Sequence, residues 1–226
     1  MRNHYEENVD IRGIKHLAAR NAFYKIIKNV KLVSKNGKTV AEVGAGTADI
    51  VVSSFLSREE FDVTVYDKEK VAGGTVLNII PHFRIPQEEI QKDVEYSKTL
   101  GTKFKLGNEV KSVKELKNKF DCVIIIVIGA HKEWKTGFTG NDKCINAHKY
   151  LGDFNDNDSK LKRGKSLAVI YIGNTAMDSV STAKRTSGVS DVYLIYRRNI
   201  LNVLDDEDEI NLAIKEGINT KELYAP

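Results

Sequence analysis

Cysteine and proline are scarce in this sequence, with two cysteines and three prolines among 226 residues. Two thiols cannot by themselves complete a zinc site or an iron–sulfur cluster, and no CxxC pair is present that could act as a redox dithiol. We therefore expect no metal site. Cys122 lies in an apolar run, where a cysteine usually acts as a small core residue, so we expect it to be buried.

Long hydrophobic runs and an excess of charge of one sign are also absent. The longest apolar run covers residues 122–130, whereas a membrane-spanning helix needs roughly 20 residues. The 35 lysines and arginines are balanced by 31 aspartates and glutamates, which leaves a net charge of +4 at pH 7. We therefore expect no membrane partner and no nucleic-acid partner. Residues 1–7 lack the apolar segment of a signal peptide, which predicts a cytoplasmic protein.

The pattern that is present alternates strands with helices, which predicts an α/β fold with two Rossmann-like βαβ units. A lead helix precedes them, because Ile14, Leu17, Ala18, Ala22 and Ile26 recur at helical spacing over residues 14–28; we expect it to pack on the domain. The predicted elements of the first unit are a strand at 39–43, a helix to about residue 56 and a strand at 62–66. Those of the second are a strand at 167–172, a helix at 175–186 and a strand at 191–195.

The segments between the two units divide the chain further. We predict a helix at 87–100 and a strand at 122–128 that is apolar on both faces, as in the middle of a parallel sheet. The polar stretch 152–165 is typical of a loop, and the acidic run 205–209 opens a final helix. The predicted domains are a helical lead-in at 1–36, the first nucleotide-binding domain at 37–141 and the second at 142–226.

A glycine-rich turn follows the first predicted strand. Residues 44–49 read Gly-Ala-Gly-Thr-Ala-Asp, at the position where a Rossmann fingerprint begins. Gly44 permits the tight turn, and Gly46 lets a pyrophosphate approach the N–H groups at the helix N-terminus. Asp67, just after the second strand, is placed to accept hydrogen bonds from a ribose hydroxyl. The alternative is a turn that serves only helix–strand packing, but the strand, helix and acidic residue together favour nucleotide binding.

Several further motifs resemble one family of oxidoreductases. They are V-G-A-G-x-A at 43–48, D-V-T-V-Y-D-K at 62–68, G-G-T-V-L-N-I-I-P-H-F-R-I-P at 73–86, I-G-A at 128–130, G-N-T-A-M-D at 173–178 and Y-R-R at 196–198. Over nearly the whole chain the sequence resembles the glutamate synthase small-subunit-like flavoproteins, and the selenate reductase-type subunits in particular. The resemblance implies a pyridine nucleotide-disulphide oxidoreductase-like fold, in which an NAD(P)H domain is inserted into an FAD domain.

The resemblance also implies which residues bind FAD. Gly44 and Gly46 would face the FAD pyrophosphate and Asp67 its ribose. Gly73 and Gly74 would line the path from adenosine to flavin, and the segment with Pro81 and Arg84 would lie near the isoalloxazine ring. Gly129 and Ala130 resemble the turn that closes the FAD segment. Pro81 could equally be a plain turn residue and Arg84 a surface charge, and we assign no catalytic acid or base.

The second turn carries the implied NAD(P)H site. Gly173, Asn174, Thr175 and Ala176 match the start of the family's NAD(P)H-site helix, and Arg197 and Arg198 follow the next strand. Two guanidiniums stand where the first unit has a carboxylate, which favours the 2′-phosphate of NADPH over NADH. The alternative is a solvated basic pair at a strand end.

Four residues depart from the family pattern. Asp49 replaces the third glycine of the first turn, and its carboxylate could occupy the anion site itself. Tyr171 and Ile172 replace glycines in the second turn, where a β-branched residue is poorly suited to positive φ. Glu42 interrupts a strand that should be buried on both faces, where a lone carboxylate either costs several kcal/mol or stays protonated.

These observations predict an electron-transfer module that binds FAD and NADPH and passes hydride from NADPH to FAD. Electrons would then go to a partner domain or subunit or to an iron–sulfur centre, because the cofactor carries the chemistry. The alternative is a non-catalytic, degenerate Rossmann fragment with closed phosphate sites. The second domain looks incomplete at its C-terminus, so exposed apolar surface could lead to homo-oligomers.

Overall fold

The computed structural model of the chain describes residues 9–32, 34–126, 137–157, 161, 163–199 and 207–224. The predicted site residues Gly129 and Ala130 lie outside this part of the chain. By their contacts, the described residues form two compact units. The first unit takes its residues from 1–72 and 88–126, and the second takes its residues from 73–87 and 127–226.

Helices and strands alternate along most of the described chain. In chain order they are α1 (Ile11–Asn29), β1 (Thr39–Val43), α2 (Thr47–Arg58), β2 (Asp62–Tyr66), α3 (Gly74–Asn78), α4 (Gln87–Thr99), β3 (Lys103–Lys105), α5 (Val113–Lys117), β4 (Cys122–Ile125), a short 3-10 helix (Asn141–Lys143), α6 (Ala147–Asn157), β5 (Ser166–Ile170), α7 (Asn174–Arg185), β6 (Asp191–Ile195), α8 (Glu207–Lys215) and β7 (Asn219–Lys221).

The first unit is built on a parallel sheet of order β3-β2-β1-β4. Thr39 pairs with Asp62 and Val43 with Tyr66, so β1 and β2 run in register over their full length. Apolar side chains of β1, α2, β2 and α4, with two alanines outside these elements, form its core. Its buried members are Val40, Ala45, Ile50, Val63, Val65, Ala72 and Val94.

The second unit repeats this arrangement on a smaller parallel sheet of order β5-β6-β7. Helix α7 packs on β5 and β6 because its buried face carries small and apolar residues at helical spacing, among them Ala176, Met177, Val180 and Ala183. Helix α8 contributes Ile210 and Ala213 to the same core. The predicted α/β class with two Rossmann-like units is confirmed.

The expected burial of Cys122 is wrong. β4 pairs only with β1 among the described strands, so it forms an edge of the sheet, and both Cys122 and Ile125 are exposed. The apolar run predicted burial on both faces and pairing on both sides, as in a central strand. The described part of the chain supplies no strand beyond β4.

The lead helix is present but does not pack as its apolar residues predict. Helix α1 has no buried residue, and Ile14 and Leu17 are each about three-fifths exposed. Lysines and arginines lie between its apolar positions, so no continuous apolar face faces the sheet.

The predicted loop at 152–165 begins as a helix. Helix α6 extends to Asn157 because Tyr150 and Leu151 are buried and hold its middle turn in place. Its last turn is held by Asn155, whose side-chain amide donates to the carbonyls of Asn78 and Ile80. The predicted domain bounds stay a prediction; in the structure, residues 73–87 make their contacts within the second unit.

Candidate functional site

The first glycine turn joins β1 to α2 in the geometry that the fingerprint predicts. Gly44 has a φ of 119°, in the region that L side chains avoid, and its N–H donates to the carbonyl of Tyr66. Gly46 is the N-cap residue of α2. The turn therefore directs the first N–H groups of α2 towards the carboxyl ends of β1 and β2, where a Rossmann unit holds a pyrophosphate.

The N–H groups of this turn already have acceptors. Asp49 Oδ2 accepts the N–H of Gly46 at 2.9 Å, and Asp67 Oδ2 accepts the N–H of Ala45 at 2.7 Å. The Asp49 side chain folds back closely over the turn: a β-carbon at Gly44 would lie 2.7 Å from Asp49 Oδ1. Two N–H groups of the kind that a Rossmann unit offers to a pyrophosphate are thus bound to carboxylates of the chain itself.

Two carboxyl groups of the first unit are almost completely buried. Glu42 has no exposed surface and Asp49 is 3% exposed. Among the described residues, neither oxygen of Glu42 has a hydrogen-bond partner, and Asp49 Oδ1 has none. Burial, with a smaller contribution from Asp49, raises the pKa of Glu42 to about 8. Burial also raises the pKa of Asp49 to about 6, against the lowering effect of the Gly46 N–H.

Asp67 uses both carboxylate oxygens to order its own loop. Oδ2 accepts the Ala45 N–H and Oδ1 accepts the N–H of Glu69 at 2.8 Å. Its predicted role towards a ribose stays a prediction. The next predicted pair, Gly73 and Gly74, has φ values of 140° and 55° at the start of α3, a conformation that requires glycine.

The second glycine turn is open. Gly173 has a φ of 149° and is the N-cap residue of α7, with no side-chain cap and no acidic residue in the first helical turn. A β-carbon at Gly173 would meet no described atom within 4 Å. Asn174 and Thr175 are exposed. The first N–H groups of α7 are therefore accessible to an anion, as the phosphate-binding turn of a Rossmann unit requires.

The departures in the second turn have different structural consequences. Tyr171, and not Ile172, adopts positive φ, at 116°, with a side chain about half exposed. Ile172 packs against the core of the second unit. The expected conflict between the β-branched side chain and positive φ at Ile172 is therefore wrong, because the strained position lies one residue earlier.

Arg197 and Arg198 lie at the same edge of the second sheet as this turn. β5 and β6 are parallel, with Ile170 paired to Ile195, so residues that follow either strand are neighbours. Both arginines are exposed, and they form no ion pair with any residue that the structure describes. Their predicted contact with a 2′-phosphate stays a prediction.

The segment with Pro81 and Arg84 is fixed within the second unit. Pro81 is fully buried. Arg84 Nε lies 3.1 Å from Asp178 Oδ1 on α7, and its Nη1 lies 3.5 Å from Glu209 Oε1 on α8. The predicted contact of this segment with a flavin stays a prediction. In the structure, Arg84 forms ion pairs with residues of two helices, α7 and α8.

The two turns therefore differ in how well they fit a dinucleotide. The second turn offers the exposed residues Asn174 and Thr175 at the start of α7 and two guanidiniums, which fit the phosphates of NADPH. The first turn has the required backbone, but an ionised Asp49 does not fit beside a pyrophosphate. Within the described residues no cluster of three or more His, Cys, Asp or Glu could hold a metal ion, and no helix is long and apolar enough to cross a membrane.

Comparison with known proteins agrees with the motifs. No family model matches the chain. It is 33% identical over 98% of its length to YgfK of Escherichia coli O157:H7, which is named as an oxidoreductase, and spans 22% of that protein. It is 32% identical over 81% of its length to the NADP(+)-dependent formate dehydrogenase subunit beta of Moorella thermoacetica, and spans 27% of that protein.

Further similarity extends to glutamate synthase and to solved structures. The chain is 28% identical over 84% of its length to the glutamate synthase [NADPH] small chain of Escherichia coli strain K12 and spans 43% of it. Thioredoxin reductase of T. acidophilum matches with a TM-score of 0.56 and 22% identity, over 81% of this chain and 63% of that one, which shows the fold. The sequence similarities confirm the resemblance inferred from the motifs: the chain is homologous to a segment of the glutamate synthase small-subunit-like oxidoreductases.

Proposed function

We propose that the chain is the dinucleotide-binding segment of an NADPH-dependent oxidoreductase and that its second turn binds NADPH. The observation that carries this proposal is the open N-terminus of α7 beside Arg197 and Arg198. A helix N-terminus with accessible N–H groups attracts a phosphate, and guanidiniums bind the 2′-phosphate that distinguishes NADPH from NADH. The names of the relatives, which include NADP(+)-dependent and NADPH-dependent proteins, support the same cofactor.

The first unit is the FAD-type unit in this proposal. Gly44, Gly46 and Asp67 would hold the FAD pyrophosphate and ribose, provided that Asp49 moves away or loses its charge, and Gly73 and Gly74 would let the backbone approach the cofactor. FAD supplies the redox chemistry when bound, and the chain's own residues bind and orient the nucleotides. The subunit names of the relatives support a redox partner domain or subunit, which would receive the electrons.

A non-catalytic Rossmann module is the second candidate. The observation that favours it is the occupied first turn, where two N–H groups are bound to carboxylates of the chain itself. The open second turn argues against it, because a scaffold needs no accessible phosphate site beside two exposed arginines that form no ion pair with any described residue. The two candidates make opposite predictions for NADPH binding.

The test is NADPH and NADH binding to the wild-type chain and to Arg197→Ala and Arg198→Ala, followed by the fluorescence of the reduced nicotinamide. We expect each substitution to weaken NADPH binding by roughly tenfold, the loss of one charge-assisted contact, and to change NADH binding less than twofold. Lys165→Ala is the matched control, because Lys165 is an exposed cation at the opposite end of β5. Equal losses for both nucleotides, or the same loss in the control, would contradict the proposal.

A further inference from the structure

The two glycine turns lie at equivalent places in their units, each with a glycine as the N-cap residue of the helix, but they are in opposite states. At the second glycine turn, the first helical turn of α7 contains no acidic residue, and its N-cap residue has no side-chain cap. At the first turn, Asp49 is the third residue of α2 and reaches back to the N–H of its N-cap Gly46. Asp67 accepts the neighbouring N–H, so two successive donors of one anion-binding turn are bound to carboxylates.

Only one oxygen of the buried Asp49 carboxylate has a hydrogen-bond donor among the described residues. It is 3% exposed, and its Oδ1 has no hydrogen-bond partner among the described residues. A cap on a surface helix would leave its second oxygen in water, whereas this one is directed into the space beside Gly44. A buried oxygen without a donor, at the place where a phosphate oxygen would be bound, indicates a carboxylate that substitutes for a ligand.

We propose that Asp49 is an internal competitor for the pyrophosphate at the first turn, so that FAD binds there only when this carboxylate is neutral or displaced. The inference rests on the proposed function only in taking FAD as the dinucleotide of the first unit. One substitution in the third fingerprint position thus converts a permanent cofactor site into one whose occupancy depends on a proton. FAD binding to the chain takes up that proton.

The charged groups around Asp49 agree with this coupling. Among the described residues, Asp67 after β2 raises the pKa of Asp49 by charge repulsion, and Asp49 raises the pKa of Glu42 on β1 in the same way. All three groups are acids. The pKa of Asp49 is raised to about 6 and that of Glu42 to about 8. Below pH 7 Glu42 is therefore mostly neutral, and Asp49 is the group that changes charge between pH 5.5 and 7.

The experiment is FAD binding to the full chain between pH 5.5 and 8.0, followed by quenching of flavin fluorescence. At pH 8.0 about one Asp49 in a hundred is neutral, so we expect the apparent affinity of the wild type to fall by up to roughly a hundredfold across this range. Asp49→Asn and Asp49→Gly should bind FAD at pH 8.0 at least tenfold more tightly than the wild type. Their affinity should change less than threefold with pH.

Calorimetry in buffers of different ionisation enthalpy supplies a second measurement. At pH 7 the wild type should take up close to one proton per FAD bound, and both Asp49 variants should take up none. Glu95→Gln, on the exposed side of α4, is the matched control and should behave as the wild type does. NADPH binding at pH 8.0 should be the same in all four proteins, which separates this inference from the proposal for the second turn.

Several outcomes would overturn the inference. The inference is wrong if the FAD affinity of the wild type does not change with pH. It is also wrong if the wild type binds FAD without taking up a proton. Asp49 variants that bind FAD no better than the wild type, with lower melting temperatures, would show that Asp49 is a structural helix cap only. If both variants fail to fold, the pH profile and the proton uptake of the wild type decide the question.

Discussion

Glu42 places a carboxyl group on a strand that is flanked by β2 and β4, where water does not reach it. Its pKa of about 8 lies above the ordinary value of 4.5, because burial disfavours the charged form and Asp49 adds a smaller repulsion. The ionised form is thus less favourable in the folded chain than in the unfolded chain. The free energy of unfolding should fall as the pH rises from about 4.5 to about 8 and remain low above it.

We therefore expect Glu42→Gln to stabilise the chain in a pH-dependent manner. The variant and the wild type should have similar stability near pH 4.5, and at pH 8.5 the variant should be more stable by about 4–5 kcal/mol, since it carries no charge to bury. Urea unfolding at both pH values measures the difference. Glu95→Gln, which removes an exposed charge, is the control, and a gain that is equal at both pH values would contradict the argument.

The sequence indicated the unusual residues of both turns but not all of their consequences. Asp49, Glu42 and Tyr171 could be recognised because a fingerprint position, a buried strand and a glycine position each exclude their side chains. The return of Asp49 to the Gly46 N–H was foreseen only as one option, because it depends on a side-chain rotamer. Which residue of the second turn takes positive φ is decided by the path of the backbone, so the sequence alone does not show that Tyr171 takes it and Ile172 does not.

At the scale of elements, Arg84 ties the segment after α3 to two helices of the second unit. Its guanidinium lies between Asp178 of α7 and Glu209 of α8, and all three side chains are less than one-third exposed. The ring of Phe83 beside it stacks under the guanidinium of Arg185, with 4.4 Å from its Cζ to the ring centroid. The segment is therefore positioned by charge and stacking together.

We expect Arg84→Met to lower the free energy of unfolding by about 2 kcal/mol at pH 8, because two partly buried carboxylates lose their common cation. Burial raises the pKa of Asp178 and Arg84 lowers it, so the loss should be smaller at low pH, where Asp178 is protonated without its partner. Lys165→Met, which removes an exposed cation, should cost less than about 0.5 kcal/mol. An Arg84 loss as small as that control would show that the ion pairs do not stabilise the unit.

Elements with strong local signals were predicted well. The predicted bounds of β1, β2 and β6 agree with the structure. Each of these strands is a short run, apolar or alternating between apolar and polar residues, that lies between residues typical of turns. β3 and α5 were missed because three to five residues are too few for a period to show. α1 and β4 exist as predicted, but α1 stays exposed because basic residues interrupt its apolar face, and the expected burial of β4 depends on a neighbouring strand that the described part of the chain does not contain.

At the scale of the whole chain, two similar units carry turns in different states. The fold of both units follows from sequence patterns, and the comparisons confirm it, because βαβ units depend on apolar periodicity and on glycine at a few positions. The difference in state depends on the carboxylates of Asp49 and Asp67, which bind the N–H groups of the first turn, and on the lack of an acidic residue in the first helical turn of α7. The chain should accordingly bind its two nucleotides with unequal strength at neutral pH.

We expect the chain purified at pH 8 to contain no flavin and to bind one NADPH. At the first turn, two N–H groups would have to leave carboxylates before they bind a pyrophosphate. Hydrogen bonds to charged groups contribute about 1.5–3 kcal/mol each, so the loss of two corresponds to a decrease in affinity of roughly a hundredfold or more.

The visible spectrum of the purified protein and an NADPH titration measure both statements. A yellow protein with stoichiometric flavin at pH 8 would contradict the first, and a chain that binds no NADPH would contradict the second. Because the first helical turn of α7 contains no acidic residue, the NADPH stoichiometry should remain one per chain in Asp49→Asn, while that variant gains flavin when FAD is added.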